Sequence, residues 1–183
     1  MTALKVPTRQ EVTPENQAIF DKLEKSLGFV PNIYAAMAHS PNALGHFLAA
    51  GSRKSSLSTK EKEVINLIVS QSNNCSYCLA AHTAISKMNG FTDEQVIDIR
   101  KGDSIGDTKL DSLAAFVRSA VQNSSKPSTA AHTNLVAEGY NEENIVDIVL
   151  AISEITATNY LHGISQVPVD FPAAATLREA VAV

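Results

Sequence analysis

Both cysteines of the 183-residue chain lie in one short segment, Cys75-Ser76-Tyr77-Cys78, and His82 follows four residues after the second. On a helix, Cys75 and Cys78 stand ~60° apart around the axis, and His82 lies ~40° from Cys78 and ~20° from Cys75. The three side chains therefore share one stripe. Side chains lean toward a helix N-terminus, so His82 leans back toward Cys78. A helix start also favours thiolate, the reactive form of cysteine, through its positive dipole end and free N–H groups. Three chemistries fit this pattern. A dithiol can cycle to an intramolecular disulfide. The same residues can ligate zinc, although they supply at most three ligands and a structural site wants four. Two buried cysteines can also pack as small hydrophobes.

A fourth residue bears on the choice. Glu63 opens a run whose other members, Val64, Ile65, Leu67, Ile68 and Val69, are apolar, and Glu63, Asn66 and Ser70 interrupt it at helical spacing. A buried carboxylate is costly unless paired. If this helix packs antiparallel to the motif helix, Glu63 reaches the His82 end and orients the imidazole. The plainer role for Glu63 is to complement the helix dipole beside Glu61.

The elements that must position these residues read as helices throughout. Thr13-Pro14 caps a helix over Glu15 to Leu27, ended by Gly28. Pro31 and Pro41 open two short helices, and Gly51 to Leu57 reads as a loop. Ser58-Thr59-Lys60-Glu61 is a capping box for the Glu63 helix, which Ser72-Asn73-Asn74 ends. A helix starts near Cys75 and runs to Gly90. Thr92-Asp93-Glu94-Gln95 caps a short helix that stops at Gly102, and Asp107 to Val121 forms another. Lys126-Pro127 is expected to start a helix ended by Gly139. Asn141 caps a long final helix, stopped by Pro168. No stretch alternates with period two, so the expected class is all-α with roughly seven to nine helices. A faint internal echo pairs the Glu63–His82 region with Asp147–His162, setting Asn159-Tyr160-Leu161-His162 opposite Cys75-Ser76-Tyr77-Cys78. His162 reads as a core-edge histidine, and His39, His46 and His132 as solvated or packed side chains.

Composition narrows the function classes. Apolar residues make 44% and charged residues 19%, which is globular rather than disordered. A net charge of −4 argues against nucleic acid. No apolar run reaches ~18 residues and no apolar leader is visible, so the expectation is a cytoplasmic protein with no membrane partner. No composition shift divides the chain, so residues 1–183 are expected to form a single domain with its core over about 15–172. The final helix carries apolar residues on more than one side, including Ile145, Val146, Val149 and Leu150, which demands burial in the fold or at an oligomer interface.

Glu63, Cys75-Ser76-Tyr77-Cys78 and His82 together resemble the motif of the AhpD-like alkylhydroperoxidases of the carboxymuconolactone decarboxylase-like superfamily. The flanks extend the likeness. Leu27-Gly28-Phe29-Val30-Pro31-Asn32-Ile33-Tyr34 with Ala38-His39-Ser40-Pro41, and Val167-Pro168-Val169-Asp170-Phe171-Pro172, resemble the start and end of its peroxidase-related branch. The resemblance implies an AhpD-like helical bundle assembled as a homo-oligomer, a trimer or hexamer. It implies thiol-dependent reduction of a hydroperoxide substrate, with electrons from a dithiol donor protein or small thiol. Catalytic roles then fall to Cys75 and Cys78 as the redox pair, and to His82 and Glu63 as a proton relay. No metal and no cofactor beyond the Cys75–Cys78 disulfide is implied. The sequence departs from the best-characterised members at Tyr77, where they carry histidine. A phenol is a poor base near pH 7, so that relay member is missing. Carboxymuconolactone decarboxylase-like chemistry, or a metal-binding or structural helical oligomer, is the alternative. Between the cysteines, closeness to the helix start favours Cys75 and closeness to His82 favours Cys78 as nucleophile. The reading adopted is Cys78, with Cys75 as its partner.

Overall fold

Helices form wherever apolar spacing and a local cap coincide. A computed structural model describes residues 3–177, and all its regular elements are helical. In order they are α1 (Pro14–Leu27), α2 (Asn32–Met37), α3 (Ala43–Gly51), α4 (Thr59–Ser72), α5 (Ser76–Met88), α6 (Asp93–Lys101), α7 (Thr108–Gln122), α8 (Thr129–Ala137) and α9 (Glu142–Ser165). The capping boxes at Ser58, Thr92 and Asn141 all form. The start of α8 differs from the sequence expectation. Helix α8 starts after Ser128, whose hydroxyl accepts the Ala131 N–H at 3.2 Å, so Lys126 and Pro127 precede the helix. Helix α9 runs from Glu142 to Ser165, the span the sequence suggests, and Gln166 follows it in the left-handed region. No helix among the described residues is long and apolar enough to cross a membrane.

Helix α4 is the axis of the fold. Val64, Ile65, Leu67 and Ile68 are wholly buried, because α5, α6, α7 and α9 all pack against it. Leu113 and Val117 of α7 and Ile148 and Ile155 of α9 complete this core. A second core joins Phe20 of α1, Ala35 and Met37 of α2, and Leu44 of α3. Asn16, fully buried on α1, donates from Nδ2 to the carbonyls of Ala38 and Ser40 and so fixes the α2–α3 turn.

The turn between α4 and α5 positions the motif. Asn74 adopts φ 50°, a left-handed conformation that asparagine tolerates better than most residues. The Cys75 N–H then bonds the Ser70 carbonyl at 2.9 Å, and the chain doubles back. Helix α5 thus runs antiparallel to α4, with its residues 82 and 86 beside residue 63.

The segment after α9 returns beside the start of α5. The Asn32 N–H donates to Asp170 Oδ2 at 2.7 Å, and Asn32 Nδ2 donates to the Pro168 carbonyl at 3.0 Å. Phe171 stands edge-on to both Phe29 and Tyr77, with ring centroids 5.5 and 5.7 Å away. The α1–α2 connection and the segment after α9 are thereby strapped together over α5.

Candidate active site

Cys75 is the N-cap of α5 rather than its first helical residue, and its sulfur accepts the Cys78 N–H at 3.3 Å. The two sulfurs lie 2.8 Å apart and share a hydrogen bond; both thiols are free and both residues are buried. Closing them to a disulfide requires an approach of less than about 1 Å. The pair cannot carry two charges so close together, so its protons leave very unequally. The Cys75 thiol is drawn down to about 7, chiefly because Cys78 donates to its sulfur, with the Cys78 N–H and the Asn159 amide adding to the effect against burial. The Cys78 thiol is pushed far above the ordinary range because it gives its hydrogen to Cys75 and is itself buried. Thr158 Oγ1, 3.7 Å from the Cys78 sulfur, donates its own hydrogen to the Ile155 carbonyl and so faces Cys78 as an acceptor. The network therefore rests with the charge on Cys75 and the proton on Cys78.

Glu63 and His82 form the second unit. His82 Nδ1 lies 2.9 Å from Glu63 Oε2. Ser86 Oγ donates to the same oxygen at 3.3 Å, and Asn66 Nδ2 donates to Glu63 Oε1 at 3.0 Å. The carboxylate is buried and fully engaged. Its neighbour Glu61 performs the helix-start role instead, accepting the Ser58 N–H and hydroxyl at 2.7 Å each. The structure thus brings together all four residues singled out by sequence on two antiparallel helices. His82 makes no hydrogen bond to either sulfur; it meets Cys78 across a shared cavity wall.

That cavity measures about 640 Å³. Cys78, His82 and Thr158 bring the polar chemistry to it, while Phe29, Tyr34, Ile33, Ile85 and Phe171 make its wall largely apolar. Among the described residues no Lys, Arg, Asp or Glu lines it, and neither does Cys75. Tyr77 also borders the cavity, but its phenol is buried and accepts the Ile33 N–H at 3.3 Å. Burial, then the neighbouring Asp170 carboxylate, push its ionisation far upward. Tyr77 is therefore a structural anchor, in keeping with the expectation that it is no base. Among the described residues, no group of three His, Cys, Asp or Glu side chains is disposed to hold a metal ion.

Two neighbours of the sulfurs escaped sequence reading. Thr158 and Asn159 arrive from α9, and Asn159 donates to Ser70 Oγ at 3.2 Å and accepts from Asn73 Nδ2 at 2.9 Å. Ser70, a polar interruption of α4 with no defined chemistry in the sequence, thus orients the amide that supports Cys75. The internal echo was the available signal, since it set Asn159 opposite Cys75. His162 is buried with its ring 5.4 Å from Tyr77 and lines no part of the cavity, as a core-edge histidine would. His39, His46 and His132 are exposed.

The model of the carboxymuconolactone decarboxylase family matches residues 35–106, a span that holds Glu63, both cysteines and His82. An uncharacterized peroxidase-related protein from Silicibacter sp. TM1040 superposes with a TM-score of 0.80 at 26% identity, over 95% of this chain and 92% of the other. The chain has the AhpD-like helical fold, and its likeness to the carboxymuconolactone decarboxylase family covers less than half of its length. Two further solved structures share the fold. A peroxidase-related protein from Ralstonia eutropha JMP134, described as an alkylhydroperoxidase AhpD core, matches with a TM-score of 0.80 at 20% identity, over 89% of each chain. A variant of the debrominase Bmp8, in complex with 2,3,4-tribromopyrrole, matches with a TM-score of 0.76 at 18% identity, over 93% of this chain and 92% of the other. These peroxidase-related and debrominase structures share one helical frame with this chain.

Proposed function

We propose that the protein is a thiol-dependent peroxidase that reduces organic hydroperoxides through Cys75 and Cys78. The observation that carries this reading is a hydrogen-bonded dithiol at the wall of an apolar cavity that also holds a carboxylate-anchored histidine. Cys78 faces the cavity and Cys75 holds the charge, so Cys78 first hands its proton to Cys75 across 2.8 Å. The Cys78 thiolate then attacks the terminal peroxide oxygen, the O–O bond breaks, and the alkoxide takes a proton relayed from solvent through His82. Cys75 next attacks the sulfur of the Cys78 sulfenic acid. The S–S bond forms, and hydroxide departs as water with the Cys75 proton. Glu63 keeps the imidazole oriented throughout. A dithiol protein or small thiol restores the pair with two electrons and two protons. The disulfide is the only redox group this cycle uses, and its need for a reducing supply suits a cytoplasmic setting.

The uncharged cavity wall favours this reading over decarboxylation of a lactone acid, which would want a cationic partner for its carboxylate. We further propose that the chain works as a homo-oligomer, a trimer or hexamer, because Val146, Val149, Leu150, Tyr160 and Ile164 leave a long apolar stripe of α9 exposed.

The test is a stoichiometric oxidation. Reduced protein treated with cumene hydroperoxide is expected to lose two hydrogens by mass and both free thiols, with cumyl alcohol appearing mole for mole. A bromopyrrole serves as a second electrophile. Thiols that survive excess hydroperoxide would defeat the proposal. Release of bromide with no alcohol formed would move the protein to reductive dehalogenation.

A further inference from the structure

Arg100, on α6, is 4% exposed. A guanidinium has five N–H donors and one full charge. Its Nε donates to Gln71 Oε1 at 2.9 Å and its Nη1 to the Ala175 carbonyl at 2.8 Å. No other hydrogen bond and no carboxylate within ion-pair distance meets it among the described residues. Burial pulls its basicity down, with no offsetting charge. A buried cation is ordinarily paired, because leaving water costs more than two neutral hydrogen bonds return. Arg100 breaks that pattern.

The guanidinium borders a cavity of about 510 Å³ between α5, α6 and the segment after α9. Thr83 lines the same cavity, and its hydroxyl is buried without a hydrogen-bond partner. The other charges at this cavity, Lys87 and Asp93, neutralise each other across 2.9 Å. The remaining wall is apolar, including Val96, Ile97, Met88 and Pro172. Among the described residues the site thus offers one uncompensated positive charge with planar, forked donors, one orphan hydroxyl, and room for a hydrocarbon body. One net charge matches a monoanion rather than a phosphate dianion, and the planar fork matches a carboxylate. Ala84 and Met88 also line the catalytic cavity, so the two chambers lie on either side of one α5 ridge.

We infer that the Arg100 cavity is a second binding site, separate from the dithiol, that takes an amphipathic monocarboxylate with its carboxylate on Arg100 and its chain along the apolar wall. The assignment stands independently of the peroxidase reading, since it uses neither sulfur.

The test is calorimetric titration of the full chain at pH 7 with decanoate and with decanol, which share a tail and differ in charge. Decanoate is expected to bind about ten- to a hundred-fold more tightly than decanol, the worth of charge-assisted hydrogen bonds. Arg100→Gln should erase that preference. Because Arg100 also ties α6 to Gln71 and Ala175, a second variant keeps it in place. Ile97→Glu sets a carboxylate one helical turn from Arg100, and should erase the preference by occupying the guanidinium. Ala81→Phe, which crowds only the catalytic cavity, should leave decanoate binding intact. Equal affinity for decanoate and decanol overturns the assignment. So does an Ile97→Glu variant that binds decanoate as the parent does. Loss of binding in Ala81→Phe would place the ligand at the dithiol instead.

Discussion

Replacing Cys78 by alanine tests the charge distribution within the dithiol most directly. The chief reason the Cys75 thiol falls to about 7 is the hydrogen donated by Cys78. At pH 7 about half of Cys75 is then thiolate, against roughly 3% for an ordinary thiol with a pKa near 8.5. Without its donor, Cys75 keeps the Cys78 backbone N–H and Asn159 but loses the largest of the effects that oppose burial. Its pKa is expected to reach at least the ordinary value, a loss of thiolate of about fifteen-fold at pH 7 and about 2 kcal/mol. That figure agrees with the ~1.5–3 kcal/mol expected for a hydrogen bond to a charged group. Cys78→Ser retains a donor at the same place and should keep the midpoint low. Ultraviolet absorbance of the thiolate, followed through a pH titration, reads the charge even though Cys75 lies out of reach of the cavity. Thiolate is the deprotonated form, so absorbance rises with pH, near 7 in Cys78→Ser and at least 1.5 pH units later in Cys78→Ala. A midpoint that stays near 7 in Cys78→Ala would refute the reasoning, and so would an equal rise in both variants.

His82→Ala should lower hydroperoxide turnover by about a hundred-fold, the usual worth of a proton-transfer group, while leaving the thiolate titration unmoved, because His82 bonds to neither sulfur. Glu63→Gln should show a smaller loss of turnover of the same kind in steady-state assays. Ser70→Ala strips a fully buried acceptor from Asn159 Nδ2 and should cost about 1–3 kcal/mol of stability in a urea melt, with the Cys75 midpoint rising as the amide loosens. Leu67→Ala, at a wholly buried position of α4, should cost about 2–5 kcal/mol by the same melt. Val149→Glu puts a charge into the exposed apolar stripe of α9 and should shift sedimentation from oligomer to monomer.

The capping boxes at Ser58 and Thr92 were legible because each is a contract between residues three apart. The start of α8 was misread because Pro127 suits a first helical turn, yet the adjacent Ser128 supplies a side-chain oxygen that proline lacks. The Glu63–His82 contact was legible because helical periodicity marks Glu63 as a charge within a buried run, and a short turn forces its helix antiparallel to α5. Thr158 and Asn159 were not, because they reach the sulfurs from at least 80 positions away, and only the faint internal echo pointed to Asn159. Likewise, the cavity wall draws on Phe29 and Phe171, whose meeting is decided by tertiary packing alone.

The strap that joins Asn32 to Asp170 spans 138 positions, and it sets the order in which the chain can mature. Closing so long a loop is entropically slow, and non-local pairings of this kind form late. During synthesis the helices that carry Glu63, Cys75, Cys78 and His82 emerge well before residues 168–171. The nascent chain therefore holds a complete dithiol with an unroofed chamber, open to water and to stray oxidants. Only when Asp170 docks and Phe171 closes against Tyr77 does that chamber gain its last wall. Truncation after Gln166 should thus separate two properties normally seen together: a reactive pair of thiols, and the ability to choose what reaches them.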